Sequence, residues 1–342
     1  MAERGEWTAE ELVAALRARE QARHARSGAS SPLVPGTRAV EHPRLSATGA
    51  VSRSRHLADL SSGELLRMVR VRQRAIYGSD DRKDIYAVTN SRALPLVEAS
   101  LALVESADLS QTSEGSWVLR TSLYKEAYQL CASEPFASQP IGCFCSGVLV
   151  AADVVATAGH CVKNTADLSH IRFVFGFRML NAQSARTTFP DNDVYIGVDV
   201  IGRKLTSDGT DWTLVRLERP VVRRQPVPFR QSGKISDQEP VFVVGHPCGL
   251  PQKLAGGARV RNNAPPAYFV ANLDTYGGNS GAPVFSARSY QLEGLLVRGQ
   301  TDFVSLGSCF VSLVFPTTGP GGEDVTRSTE FAKLVEGKQR DD

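Results

Sequence analysis

Val148-Leu149-Val150-Ala151-Ala152-Asp153-Val154-Val155-Ala156-Thr157-Ala158-Gly159-His160-Cys161 is apolar almost throughout until it meets a glycine, a histidine and a cysteine. Its β-branched content and shortness read as buried strand over 147–156. His160 then sits where strand gives way to loop. An imidazole there titrates near neutrality, which suits a general base that must also return its proton. Taken alone, a histidine beside a cysteine reads as a structural residue.

Outward from this stretch the same texture recurs. Short β-rich segments at 98–104, 171–176, 194–201, 212–217, 241–245, 268–273, 282–286, 292–298 and 309–315 are separated by Gly, Pro, Asn and Asp. Many short strands with turn signals between them mean a mostly β sandwich or barrel. No long helical pattern interrupts them, which excludes alternating βαβ units and a parallel sheet. A C-terminal helix is expected over 327–336, with Phe331, Leu334 and Val335 on its apolar face.

Two further segments carry candidate chemistry. Asp211 opens Asp211-Trp212-Thr213-Leu214-Val215-Arg216-Leu217, and an acid at a strand start suits the group that accepts an imidazole N–H and fixes its tautomer. Ser280 lies in Gly277-Gly278-Asn279-Ser280-Gly281-Ala282-Pro283. Glycines let the backbone turn tightly there and let the N–H groups of Gly278 and Ser280 converge on one oxyanion. Each segment alone is a common loop or turn. Together, in the order His, Asp, Ser within one β-rich region, they are specific, and that order separates them from the subtilisin and α/β-hydrolase arrangements.

Thr157-Ala158-Gly159-His160-Cys161, Asp211-Trp212-Thr213-Leu214-Val215-Arg216-Leu217 and Gly277-Gly278-Asn279-Ser280-Gly281-Ala282-Pro283 resemble the three signatures of the trypsin-like (chymotrypsin-fold) serine peptidases. The resemblance covers roughly residues 95–317. Asn279 before the serine, and Ala271-Asn272-Leu273-Asp274-Thr275-Tyr276 upstream, are similar to the bacterial glutamyl-endopeptidase branch. Ile76-Tyr77-Gly78-Ser79-Asp80-Asp81-Arg82 resembles the segment that opens mature enzymes of that branch. The resemblance implies two six-stranded antiparallel β-barrels with a cleft between them, His160 and Asp211 in the first and Ser280 in the second. It implies a serine endopeptidase acting on protein or peptide substrates, without cofactor.

By the same resemblance the specificity pocket involves Asp274, Thr275, Leu296, Arg298 and Gly299. An acid at the pocket base selects Arg or Lys, so a preference for basic residues at the cleavage site is expected. Against this, the Asp-Thr pair also occurs in this branch in enzymes of other preference, where the acid is structural. Glutamate-preferring relatives carry a histidine where Leu296 stands, and Arg298 offers a cation that would favour acidic substrates or neutralise Asp274. Asn279 is neutral where trypsins carry an acid, so activation through a buried amine–carboxylate bridge at this position is not expected. Cys145 and Cys161 occupy the places of the family's disulfide beside the histidine. Two contacting buried thiols are the other reading of that pair. Cys131, Cys143, Cys248 and Cys309 allow three pairings, and the sequence does not choose. Cys143-x-Cys145 is too closely spaced for the usual zinc pattern, so no metal is expected.

The chain has 342 residues, 42% of them hydrophobic, and a net charge of +3. Apolar runs as long as Val148–Ala152 fall far short of the roughly 18 residues of a membrane helix. Residues 1–75 hold 13 Arg, no Lys and 8 acids, a net +5, against 26 basic and 28 acidic residues, net −2, in the rest. The overall balance does not point to nucleic acid, and the arginines read as a solvated helix face. Capping signatures at Thr8/Glu11 and Ser61/Glu64 predict helices over 7–27 and 62–76, joined by a Ser/Pro/Gly/Arg-rich linker over 28–58. Residues 1–75 are therefore expected to be a helical extension, a propeptide or an adaptor for a partner, with the peptidase domain at 76–342. The first residues carry no secretory signal, which favours a cytoplasmic location. The competing functional reading is a regulatory or inactive peptide-binding module that kept the fold.

Overall fold

Twelve principal strands build two antiparallel sheets, as the short β-rich segments require. The computed structural model describes residues 76–298, 303–305, 309–312, 314–315 and 321–339. The helices expected over 7–27 and 62–76 and the linker over 28–58 lie outside the described residues, except that Ile76 begins a short strand, Ile76–Tyr77.

The first sheet contains β1 (Ser100–Glu105), β2 (Cys145–Ala151), β3 (Val154–Thr157), β4 (Ile171–Phe175), β5 (Gly197–Leu205) and β6 (Asp211–Leu217). Its order is Val194–Tyr195, β4, β1, β2, β3, β6, β5. Only Ile196 separates the edge strand Val194–Tyr195 from β5 at the opposite edge, so the sheet curls until its two edges are one stretch of chain. The Ile196 carbonyl accepts the Glu218 N–H at 2.9 Å and extends the β5–β6 pairing by one step. β2 and β3 form the hairpin predicted as one strand; Ala152 and Asp153 make the turn.

The second sheet contains β7 (Pro240–Gly245), β8 (Lys253–Asn262), β9 (Tyr268–Ala271), β10 (Pro283–Ser286), β11 (Leu292–Arg298) and β12 (Glu323–Arg327). Its order β7-β10-β11-β12-β9-β8 closes through pairing of β7 with β8. Closure removes exposed strand edges. Arg82–Asp84 adds a short strand to β8, where Asp84 faces Lys253. Each barrel has its own buried apolar cluster. Phe242 and Phe285 of the second barrel stack at 5.3 Å and join the cluster of the first, so apolar packing links the two.

β8 and the C-terminal helix also differ from the sequence expectation. The sequence pattern gives no signal for β8: Lys253-Leu254-Ala255-Gly256-Gly257-Ala258-Arg259 lacks clean alternation because a bulge opposite β7, with Gly257 at φ +72°, breaks the period. Residue 327 ends β12, and the C-terminal helix runs Ala332–Gln339. Phe331, Ala332 and Val335 face the core, while Leu334 is exposed.

Candidate functional site

Main-chain geometry puts the three expected residues at the junction of the barrels. Behind β3, a turn closed by Cys161 N–H to the Ala158 carbonyl carries His160. β6 begins at Asp211, which is almost wholly buried. Its Oδ2 lies 2.7 Å from His160 Nδ1, and its Oδ1 accepts the His160 main-chain N–H at 3.2 Å. One carboxylate thus fixes both the position and the ring orientation of His160, leaving Nε2 available. Thr326 Oγ1, on β12 of the other barrel, accepts the Asp211 N–H at 3.2 Å. The Arg203 guanidinium donates to the Gly159 carbonyl at 2.7 Å and steadies the turn from β5.

Ser280 occupies a turn closed by the Ala282 N–H on the Asn279 carbonyl, with Gly281 at φ +83°. That φ is the left-handed region in which glycine alone is unstrained. A Cβ on Gly281 would lie 2.2 Å from the Ser146 carbonyl and 2.3 Å from Thr157 Oγ1. The serine turn is therefore wedged against the strand ends that lead to His160. Cys161 Sγ is 3.7 Å from the Ser280 carbonyl oxygen. Among the described residues no hydrogen bond joins the Ser280 hydroxyl to His160.

The loop from Gly277 to Ala282 has an orderly division of its polar groups. The carbonyls of Gly277, Gly278, Asn279 and Ser280 accept from Cys248 N, Ser146 Oγ, Ala282 N and Ser146 N. The N–H groups of Asn279, Gly281 and Ala282 donate to Tyr276, Leu296 and Asn279. Those of Gly278 and Ser280 donate to no described residue. In a planar trans peptide the N–H points opposite to the preceding C=O. Holding the Gly277 and Asn279 carbonyls therefore aims the Gly278 and Ser280 N–H groups away from Cys248 and Ala282.

Two of the expected pocket residues, Asp274 and Arg298, are engaged by other groups of the chain. Asp274 is 3% exposed. Its Oδ1 accepts the Tyr77 N–H at 2.8 Å and its Oδ2 the Asp81 N–H at 2.9 Å. Burial, with the nearby Asp80 and Asp81 carboxylates, pushes its pKa up to about 6. This carboxylate holds the Ile76–Arg82 segment, as a structural acid would, and both its oxygens are already engaged. Thr275 is buried beside it, with its hydroxyl unpartnered among the described residues. The Leu296 side chain lies in the core of the second barrel; its main chain brackets the serine turn, donating to Ala282 and accepting from Gly281. Arg298 pairs with Asp324 at 2.9 Å and donates to the Gly209 carbonyl, so it does not neutralise Asp274. Gly299 lies outside the described residues. Asn279 is buried with Oδ1 packed on Gly245.

Cys145 and Cys161 are joined by a disulfide, as are Cys131 and Cys309; Cys143 and Cys248 take part in neither bridge. The contacts of Ser146 and Thr326 were not read from the sequence. A buried hydroxyl inside an apolar strand, as in Cys145-Ser146-Gly147-Val148, was the one signal available for Ser146. His246 is buried, stacks on Phe177 at 5.8 Å and donates from Nδ1 to the Leu250 carbonyl. Burial holds its pKa down at about 4, so its ring is neutral and serves as scaffold behind Gly278.

The sequence model of the trypsin-like peptidase domain matches residues 145–295, a span that contains His160, Asp211 and Ser280. Residues 145–295 are a trypsin-like peptidase domain. That domain makes the chain a serine endopeptidase acting on proteins or peptides. No curated protein sequence matches the chain. Among solved structures, a Glu endopeptidase in complex with MPD is similar, with a TM-score of 0.44 and 16% identity over 78% of this chain and all of that one.

Proposed function

We propose that this serine endopeptidase cleaves peptide bonds through an acyl-enzyme formed on Ser280. Ser280 Oγ attacks the scissile carbonyl, and His160 Nε2 takes its proton. Asp211 holds the tautomer with hydrogen on Nδ1 and stabilises the imidazolium. The Gly278 and Ser280 N–H groups receive the oxyanion. The imidazolium then protonates the leaving amine, and water repeats the sequence to release the acid. Substrate binding brings the Ser280 hydroxyl into hydrogen bond with His160.

One observation carries this reading: two main-chain donors without a partner among the described residues, those of Gly278 and Ser280, lie in a serine turn that abuts a histidine already oriented by a buried carboxylate. A peptide-binding module needs neither the donors nor the oriented imidazole. The test is cleavage of fluorescently quenched casein by the purified chain and by Ser280→Ala and His160→Ala. Loss of turnover by about 10⁴-fold or more in both variants, with the fold retained, supports it. Equal turnover by the variants refutes it.

With Asp274 engaged by Tyr77 and Asp81, the preference for basic residues loses its main support. A peptide-library profile identifies the residue class cleaved. We assign residues 1–75 as an extension separable from the catalytic domain at 76–342, supported by the hold of Asp274 on the chain from Tyr77 onward. Intact mass of the active species reads this directly: loss of about 75 residues marks a propeptide, and full length marks a permanent adaptor.

A further inference from the structure

We propose that Ser146 is a positioning residue that sets the two oxyanion donors from the opposite barrel. The proposal rests on the acyl-enzyme reading above. Ser146 lies on β2 and is fully buried. Its main-chain N–H donates to the Ser280 carbonyl at 2.8 Å, and its carbonyl accepts the Thr157 hydroxyl at 2.7 Å. Its own hydroxyl accepts the His246 N–H at 3.0 Å and donates to the Gly278 carbonyl at 2.9 Å. One residue of the first barrel therefore grips Gly278 and Ser280, the two residues of this loop whose N–H groups have no partner among the described residues.

The hydroxyl has a task that the main chain of Ser146 does not share. The donor at residue 278 lies between two glycines, which resist rotation little. The peptide that carries it, Gly277–Gly278, is held by Cys248 N–H on the Gly277 carbonyl. The peptide after it is held by the Ser146 hydroxyl and by Asn279 N–H on Tyr276. Removing the hydroxyl frees one side of Gly278 and leaves a buried carbonyl and the His246 N–H without that partner. The main-chain grip on Ser280 and the strand pairing of β2 remain.

A loosened donor stabilises the developing oxyanion less, while ground-state binding is unchanged. Ser146→Ala is expected to lower kcat by about ten- to a hundred-fold with KM within about twofold, the scale of a displaced catalytic group. Affinity for a peptide aldehyde of the preferred sequence, which forms the tetrahedral adduct, should fall by the same factor as kcat/KM. The pH dependence of kcat/KM should keep its midpoint. Ser146→Thr, which keeps the hydroxyl, should recover most of the lost kcat.

Wild-type kcat in a folded Ser146→Ala protein overturns the proposal. So does a loss confined to KM, or a loss of kcat without loss of aldehyde affinity. Fluorophosphonate labelling separates this failure from failure of the parent reading. If the wild-type chain is labelled at Ser280 and cleaves substrate while Ser146→Ala does so equally, the role of Ser146 alone is wrong. If the wild-type chain is neither labelled nor active, both readings fall.

Discussion

Replacing Gly281 by alanine probes the contact between the serine turn and the strands that lead to His160. The residue has φ +83°, and an added methyl carbon would come within 2.2 Å of the Ser146 carbonyl, 2.3 Å of Thr157 Oγ1 and 2.8 Å of the Ala158 N. Ordinary contact begins at 3.4 Å, so the turn must retreat by about 1 Å, and the strand backbone on the other side is hydrogen-bonded and rigid. The left-handed conformation costs a non-glycine residue about 1–2 kcal/mol, and forced overpacking adds about 1–3 kcal/mol. The expected destabilisation is about 2–5 kcal/mol. A displacement of about 1 Å at the nucleophile is expected to cost about 100-fold in kcat. Guanidinium unfolding measures the first effect, provided the slope is unchanged, and steady-state peptide hydrolysis the second. A Gly281→Ala protein with an unchanged midpoint and kcat within threefold of wild type would refute the wedge.

Asp211→Asn keeps the shape of the buried side chain but presents an amide to His160. Imidazole is then held with its hydrogen on the wrong nitrogen, and kcat should fall by about 10⁴ while the unfolding midpoint moves little; a loss under tenfold contradicts the assignment. Asp274 predicts a pH signature. Its pKa rises from 3.8 to about 6 on folding, so the folded state binds the proton more tightly. Its stabilising contribution is complete below about pH 4 and is lost as pH rises through about 6, by at most about 3 kcal/mol. The stability difference between wild type and Asp274→Asn should therefore fall across that window, and a flat difference excludes the buried carboxylate as its source. Removing the Cys145–Cys161 bridge by paired serine substitution should cost about 3 kcal/mol, the chain-entropy value for a loop of this size. Unfolding with and without reductant checks it, and unaffected stability would show the bridge does not form.

The candidate chemistry was marked in the sequence by particular residue types in particular places. The histidine turn, the acid opening β6 and the glycine-flanked serine are each common alone, and it is their order within one β-rich region that points to a joint role. Most strands were legible from their apolar runs. β8 was not, because a glycine bulge and surface charges hide its period. Roles decided by distant partners also stayed hidden. By resemblance Asp274 offered either a pocket base or a structural acid, and its carboxylate binds N–H groups nearly two hundred residues away. Arg298 is similarly spoken for by Asp324 and Gly209. Cys131 finds Cys309 across 178 residues, a choice spacing does not reveal.

The most direct test of the account is to ask which atom of the chain carries chemical reactivity. The intact chain, and the chain after limited proteolysis, would be treated with a fluorophosphonate and mapped by peptide mass spectrometry. The account predicts one adduct, on Ser280, absent from Ser280→Ala and strongly slowed in His160→Ala. No adduct before or after proteolysis, or an adduct on another serine, would contradict it.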